Sequence, residues 1–251
     1  MARRHLQRVH DGRLSRADLE RMVGRAFDSY ARYWMESFRL PALSAAAIGA
    51  GMTADGLENI DEGLAAGHGV ILALPHVGGW DWAGAWLCTV NRPITVVVEP
   101  VEPPELFEWF VEFRRSLGMT VIPLGRDAGK AVLHALRANH IVCLLCDRDI
   151  VGGGIEVEFF GERTTLPGGP ATLALRTGAA LCPTAVYYEG ALHRAVIGSP
   201  RPLERTGRMR DDVTRLTQGL AAELEGLIRR APDQWHLFQP NWPSDRAPLR
   251  S

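Results

Sequence analysis

This sequence of 251 residues has almost no lysine, few cysteines and no long apolar run. Lys130 is the only lysine, and with a formal net charge of −1 the composition gives no argument for a nucleic-acid partner. The four cysteines do not form paired zinc-ligand spacings, which predicts free structural thiols in a reducing compartment. Because no 18 consecutive residues are apolar and the start lacks the apolar core of a signal peptide, we expect no membrane-spanning helix.

Several catalytic signatures are also missing. A Gly-x-Ser-x-Gly nucleophile elbow is absent, and the loop from Gly125 to Lys130 is too short for a phosphate loop and is followed by Ala131 where Ser or Thr is required. The glycines at 152–154 do not match a dinucleotide fingerprint. No His and Asp residues have metal-ligand spacing, so we expect neither a metal nor a permanently bound cofactor.

Apolar runs and helical patterns alternate along the chain. Residues 69–75, 94–99, 119–124, 141–147, 155–161, 181–188 and 193–197 are predicted strands, and residues 53–68, 83–90, 104–117, 128–139, 168–177 and 211–230 are predicted helices. This alternation predicts a single α/β domain over residues 1–251, with a mainly parallel central sheet flanked by helices on both faces.

Residues 1–40 form a basic and aromatic segment that we expect to be helical. Phe27, Tyr30, Trp34 and Phe38 recur at spacings of three and four residues, which is typical of one face of a helix. Such a face packs against a core in most proteins, but a basic segment leading into aromatic residues is also suited to an anionic membrane surface. Both interpretations remain open, and they are compatible.

The most informative stretch runs from Pro75 to Asp81. His76 follows a buried strand, at the end of the sheet where open α/β folds usually bind ligands, and Gly78 and Gly79 allow a sharp turn. Asp81 suits the first turn of the next helix, and we expect the turn to bring its carboxylate beside His76. An imidazole held by a carboxylate is a general base, although a lone histidine at a strand end is more often structural.

Further charges follow the neighbouring strands. Glu99 comes after one of them, Asp147, Arg148 and Asp149 after another, and Arg114 lies in the intervening helix. Each alone is typical of a solvated loop. Because the carboxyl ends of parallel strands meet at one sheet edge, we expect these charges to converge with His76 on one site.

In this order, the motifs resemble the lysophospholipid acyltransferase superfamily, and within it the branch of the lipid A late acyltransferases. The resemblance rests on His76-x4-Asp81, on Glu99, Arg114 and Asp147-Arg-Asp149, and on the blocks at 157–161 and 167–174. It covers residues from about Tyr30 to Trp242. It implies a glycerolipid acyltransferase-like fold and transfer of a long-chain acyl group from acyl-CoA to a hydroxyl, without a covalent enzyme intermediate.

The resemblance also implies roles for individual residues. His76 is then the general base, and Asp81 is its orienting and charge-balancing partner. Asp147 is a catalytic residue near the acceptor sugar. Family members that acylate phosphatidylinositol mannosides have glutamate at this position. Glu99 and Arg114 match polar residues of the groove, and we place Arg148 and Asp149 with them as substrate-binding residues. Oxyanion donors are expected from the backbone at 77–79 or from Arg114.

The partners follow from the same resemblance. We expect acyl-CoA as co-substrate, a phosphatidylinositol mannoside as glycolipid acceptor, and peripheral association with the cytoplasmic face of the cell membrane. We further expect a monomer. Another glycolipid or a lysophospholipid as acceptor, hydrolysis of acyl-CoA, and noncatalytic lipid binding are the alternatives that the sequence leaves open.

Overall fold

A seven-stranded sheet forms the centre of the protein, as seen in a computed structural model that describes residues 1–246. Its strand order is β1-β9-β8-β2-β5-β3-β4, and all neighbours are parallel except β8 and β9. The strands of this sheet are β1 (Met52–Asp55), β2 (Val70–Leu74), β3 (Ile94–Val98), β4 (Thr120–Pro123), β5 (Ile141–Leu145), β8 (Ala180–Glu189) and β9 (Leu192–Ile197). The predicted mainly parallel α/β fold is confirmed.

Helices cover both faces of this sheet. They are α1 (Ala2–Val9), α2 (Arg16–Arg39), α3 (Ala45–Ala50), α4 (Leu57–Ala65), α5 (Trp80–Thr89), α6 (Pro104–Ser116), α7 (Ala128–Arg137), α8 (Gly169–Thr177) and α9 (Met209–Arg230). Side-chain caps mark the starts of two of them: Ser15 accepts the backbone N–H of Asp18 in α2, and Ser44 accepts that of Ala47 in α3.

Two hydrophobic cores result, because every residue of β2 is buried and successive side chains point to opposite faces. Ile71 and Ala73 pack on one face with α7, α8 and α9, while Leu72 and Leu74 pack on the other with α5 and α6. We call these the α9 face and the α5 face. The same alternation in β5 and the residue after it separates two thiols, since Cys146 belongs to the α9 face and Cys143 packs against the α5 face.

Some local predictions were wrong. Residues 53–55, expected at the start of a helix, belong to the edge strand β1, which pairs with β9 in parallel. The predicted strand at 155–161 is confirmed as β6 (Ile155–Phe159), but its partner β7 (Glu162–Leu166) was not predicted, and the two form an antiparallel hairpin outside the main sheet. Both β1 and β7 are short strands whose structure depends on a pairing partner rather than on local pattern.

The topology determines which strand ends are neighbours. β5 lies between β2 and β3, so the chain segments that follow these three strands leave the sheet side by side at its carboxyl edge. Among residues 1–246, no helix combines the length and the apolarity needed to cross a membrane.

Candidate active site

His76 lies in the turn between β2 and α5, two residues beyond the last residue of the strand. Gly78 makes this turn possible: its φ is +60°, and a Cβ atom at this position would lie 2.1 Å from the carbonyl oxygen of Val186. Only glycine tolerates both conditions. The turn therefore depends on close packing against β8, and it holds His76 at the carboxyl edge of the sheet.

The carboxylate that contacts His76 belongs to Asp147. Asp147 Oδ1 lies 2.6 Å from His76 Nδ1, and Asp147 Oδ2 accepts the backbone N–H of His76 at 2.9 Å. The parallel pairing of β2 with β5, which sets Leu74 opposite Leu145, brings these two positions together. Because an ionised carboxylate can only accept a hydrogen bond, His76 Nδ1 carries the proton of this contact. Nε2 is therefore the basic nitrogen of the ring.

Asp147 is fully buried and ionised. Burial raises the pKa of its carboxyl group, but the charge of His76, hydrogen bonds from the ring and backbone of His76, and the indole N–H of Trp235 together hold that pKa below its usual range. Trp235 Nε1 donates to Asp147 Oδ2 at 2.7 Å. All oxygens of this buried carboxylate are therefore paired, and its negative charge is available to stabilise an imidazolium at His76.

Asp81 does not lie beside His76, contrary to prediction. Its carboxylate accepts Arg114 Nε at 2.7 Å and Arg114 Nη2 at 2.9 Å, and the hydroxyl of Tyr33 donates to it at 2.8 Å. A spacing of five residues places Asp81 in the first turn of α5, where its side chain meets α6 and α2 instead of turning back to the strand end. Through its hydrogen bonds with Arg114 and Tyr33, the buried carboxylate of Asp81 thus joins α5 to α6 and α2.

The other predicted site residues fall into two groups. Glu99 and Arg148 form an ion pair, and both line the cavity that His76 also lines. Asp149 does not line the cavity: its carboxylate accepts the N–H groups of Gly152 at 3.0 Å and of Gly154 at 2.8 Å, and so it shapes the loop before β6. The geometry supports a loop-stabilising rather than a substrate-binding position for Asp149.

A cavity of about 440 Å³ opens beside His76 and extends beneath α5 along the α5 face of the sheet. Charged side chains lie near the strand ends, whereas the interior is lined mainly by aliphatic and aromatic side chains, among them Leu72, Leu74, Val96, Val98, Phe110 and Met119. Tyr30 and Trp34 of α2 line it as well, so part of the predicted aromatic stripe faces the cavity. A polar entrance and an apolar interior suit a molecule with a polar reacting end and an apolar chain.

Sequence reasoning missed the contribution of residues 234–241. Besides Trp235, Asn241 Nδ2 donates to the carbonyl oxygen of Asp147 at 2.9 Å, and the ring of His236 lines the cavity. Burial, followed by the charge of His76, lowers the pKa of His236 to about 3, so this second imidazole is neutral at physiological pH. A tryptophan in an irregular apolar segment was the available signal, because a buried indole N–H needs an acceptor.

Three of the predicted oxyanion donors are already engaged in other contacts. The N–H of Val77 donates to the carbonyl oxygen of Pro75, and that of Gly78 to Gln234. Arg114 is held by Asp81. Within the part of the chain that the structure describes, no cluster of three or more His, Cys, Asp or Glu residues is arranged to hold a metal ion.

Comparison with known proteins places this site in context. Residues 1–244 match the family described as bacterial lipid A biosynthesis acyltransferases. The chain is 39% identical over 227 residues to a phosphatidylinositol mannoside acyltransferase of Mycolicibacterium smegmatis, an alignment that covers 89% of this chain and 73% of the relative. It is 41% identical over 236 residues to the protein of the same name from Mycobacterium tuberculosis, with 90% and 73% covered. A lipid A biosynthesis acyltransferase of Haemophilus influenzae is 26% identical over 188 residues, with 72% and 55% covered.

Removing the guanidinium of Arg114 should destabilise the fold strongly. Arg114→Gln leaves the buried carboxylate of Asp81 without its cation, and breaking a buried pair in this way costs about 3–5 kcal/mol in the free energy of unfolding. Urea denaturation measures this difference. Arg115→Gln, at an exposed position on the same helix, is the matched control and should change the stability by less than about 0.5 kcal/mol. Equal stability of the two variants would show that the pair contributes nothing.

Proposed function

Because this chain belongs to the bacterial lipid A biosynthesis acyltransferase family, we propose that it transfers a long-chain acyl group from acyl-CoA to a mannose hydroxyl of a phosphatidylinositol mannoside. The observation that carries the chemistry is the buried contact between Asp147 and His76 Nδ1, at the polar entrance of a largely apolar cavity. Relatives that bear the mannoside acyltransferase name, at 39% and 41% identity, favour this acceptor.

His76 acts as the general base in this proposal. A sugar hydroxyl is a poor nucleophile at neutral pH, so its proton passes to His76 Nε2 as its oxygen attacks the thioester carbonyl carbon. The carbon–sulfur bond then breaks, and the proton moves from His76 to the departing coenzyme A thiolate. The ring returns to its starting form, and one ester and one thiol are produced.

Asp147 serves this cycle as the charge-balancing group. It fixes the ring with Nε2 free to act as the base, and its buried charge stabilises the imidazolium while the tetrahedral intermediate exists. Asp81 takes a different part, because its carboxylate is occupied by Arg114 and Tyr33. It braces α2, α5 and α6 around the cavity in which the acyl chain lies.

The acyl chain is expected to enter the apolar interior while coenzyme A remains outside. The interior offers contacts with Leu72, Val96 and Phe110 along the sheet and α6. The ion pair of Glu99 and Arg148 lies beside the reacting groups, where its charged atoms are placed to bind sugar hydroxyls or phosphate.

Peripheral membrane attachment through the apolar surface of α2 completes the proposal. Met35 and Phe38 are 51% and 61% exposed, and Phe38 packs on Trp34, which lines the cavity. By contrast, arginines in the N-terminal segment are engaged in ion pairs, such as Arg3 with Glu20 and Arg8 with Asp245. Apolar contact with the cytoplasmic face of the membrane is therefore favoured over attraction by the basic segment.

Replacement of the general base should abolish acyl transfer. Purified protein with palmitoyl-CoA and phosphatidylinositol dimannoside should release coenzyme A thiol, and His76→Ala should lower this rate by about 10²- to 10⁴-fold. His134→Ala, which removes an exposed histidine of α7, is the control and should retain full activity.

The same assay separates the alternatives. Wild-type thiol release no higher than that of His76→Ala would refute the reaction, and lipid binding without turnover would indicate a noncatalytic lipid-binding protein. Release that needs no acceptor would indicate a hydrolase. Activity with another glycolipid or a lysophospholipid, but none with the dimannoside, would show that this other lipid is the acceptor.

Asp147→Asn should lower the turnover number by about 10²- to 10⁴-fold without raising the KM for acyl-CoA, because it removes the charge that stabilises the imidazolium. Asp149→Asn is the matched control, since Asp149 contacts the loop rather than His76. Steady-state kinetics with palmitoyl-CoA measures both variants. A fall of similar size in both would show that Asp147 has no special part in the reaction.

The double variant Met35→Ser/Phe38→Ser should bind phosphatidylinositol-containing vesicles at least about tenfold more weakly, because two exposed apolar side chains no longer enter the lipid. Co-sedimentation with vesicles at 0.1 M and 0.5 M salt measures binding, and we expect salt to have the smaller effect. Binding that the double variant retains but salt abolishes would assign attachment to the arginines instead.

A further inference from the structure

A second histidine–aspartate pair, His5 with Asp245, lies where α1 meets the segment that follows α9. His5 is 1% exposed, and its Nδ1 donates to the carbonyl oxygen of Leu237 at 2.8 Å. Its Nε2 lies 3.2 Å from Asp245 Oδ2. We call residues 234–245 the tail segment. These contacts fasten it to a helix more than 200 positions earlier in the chain.

Asp245 organises the end of the tail segment. Burial raises the pKa of its carboxyl group, but the backbone N–H groups of Asn241 and Trp242, the ring of His5 and the charge of Arg8 outweigh this and lower that pKa to about 2. The N–H groups of Asn241 and Trp242 donate to Asp245 Oδ2 at 2.9 and 3.1 Å. The ionised carboxylate therefore holds the backbone at 241–242 in one conformation.

The other end of the tail segment runs alongside the catalytic turn. The N–H of His236 donates to the carbonyl oxygen of His76 at 2.8 Å, and the N–H of Gly78 donates to the carbonyl oxygen of Gln234 at 3.0 Å. Val77 and Trp235 form an antiparallel bridge between these bonds. The backbone on either side of Val77 is thus paired with the backbone on either side of Trp235.

This pairing places the indole of Trp235 next to the buried carboxylate of Asp147. Asp147 Oδ2 has two donors, the indole N–H at 2.7 Å and the backbone N–H of His76 at 2.9 Å. Oδ1 faces the His76 ring at 2.6 Å. Since Asp147 is 0% exposed, bulk water does not reach its oxygens, so loss of the indole would leave Oδ2 with the backbone N–H of His76 as its one donor.

We propose that Trp235 is a positioning residue for the His76–Asp147 pair, and that the contacts of His5 and Asp245 with the tail segment fix its place. This proposal rests on the proposed acyl transfer, in which the pair is the catalytic base. It adds that a residue remote in sequence, without contact to the reacting atoms, sets the orientation and the charge of the carboxylate. Its effect must therefore appear in turnover and in pH dependence rather than in substrate binding.

The chain offers a matched comparison of two buried tryptophans. Trp235 and Trp242 are 3% and 2% exposed, and each indole N–H makes one hydrogen bond. Trp242 Nε1 donates to the carbonyl oxygen of Phe159 at 3.1 Å, away from Asp147. Trp235→Phe and Trp242→Phe therefore remove the same kind of group from equally buried sites, and only the first change removes a hydrogen bond to the carboxylate.

Trp235→Phe in the full chain should lower the turnover number by about tenfold with an unchanged KM for palmitoyl-CoA, while Trp242→Phe stays within about twofold of the wild type. Loss of a donor leaves more negative charge on Asp147, which favours the protonated ring of His76. The acid limb of the kcat/KM profile should therefore move to higher pH in Trp235→Phe alone. The other titratable side chains that line the cavity are the same in both variants, namely Tyr30, Tyr33, Asp81, Glu99, Glu102, Arg114, Cys143, Arg148 and His236.

A double-variant cycle tests whether the effect passes through the carboxylate. In the Asp147→Asn background, Trp235→Phe should change the turnover number by much less than tenfold, because the charge on which the indole acts is gone. Thermal denaturation of both tryptophan variants shows whether they are equally folded.

The outcomes distinguish this inference from the proposed function. If the wild type does not transfer acyl groups, the proposed function fails; titration of the His76 ring by NMR, assigned with His76→Ala, still reports whether Trp235→Phe moves it to higher pH. If the wild type is active but the two tryptophan variants behave alike, or the cycle is additive, Trp235 is merely structural and the inference is overturned.

Discussion

The contact between a buried carboxylate and the ring of His76 is the constraint on which the rest of the site depends. An ionised Asp147 without exposure to water is costly unless every oxygen is paired, and the structure supplies donors from the His76 ring, the His76 backbone and Trp235. These three donors come from two residues that lie far apart in the chain, His76 and Trp235. The sheet order, the turn at Gly78 and the tail segment are therefore all needed to complete the hydrogen bonds of the Asp147 carboxylate.

The two aspartates of the site illustrate how similar groups acquire different tasks. Asp147 is paired with an imidazole, whose proton can move, whereas Asp81 is paired with a guanidinium, whose proton cannot. The first arrangement can take part in proton transfer. The second stays charged at all relevant pH values, and it suits the role of a permanent link between α2, α5 and α6 next to the largely apolar cavity.

Much of this could be predicted from the sequence. The buried run before His76 and the apolar runs before Glu99 and Asp147 predicted that these side chains reach one edge of a parallel sheet, because strand ends converge there. The position of Asp81 could not be predicted, since a five-residue spacing does not reveal which way a side chain points in the first turn of a helix. The pairing of Asp147 with His76 depends on β5 being the neighbour of β2, and a single sequence does not contain strand order.

The tail segment was the hardest part of the site to predict. Its position also affects the order in which the protein folds. Residues 234–245 complete the surroundings of Asp147, and they are held by His5 in α1. The α/β core can begin to form as the ribosome delivers β2 to β5. The carboxylate of Asp147 nevertheless lacks its full set of donors until Trp235 has been synthesised and has packed against it, so the sheet can form before the contacts of Asp147 are complete.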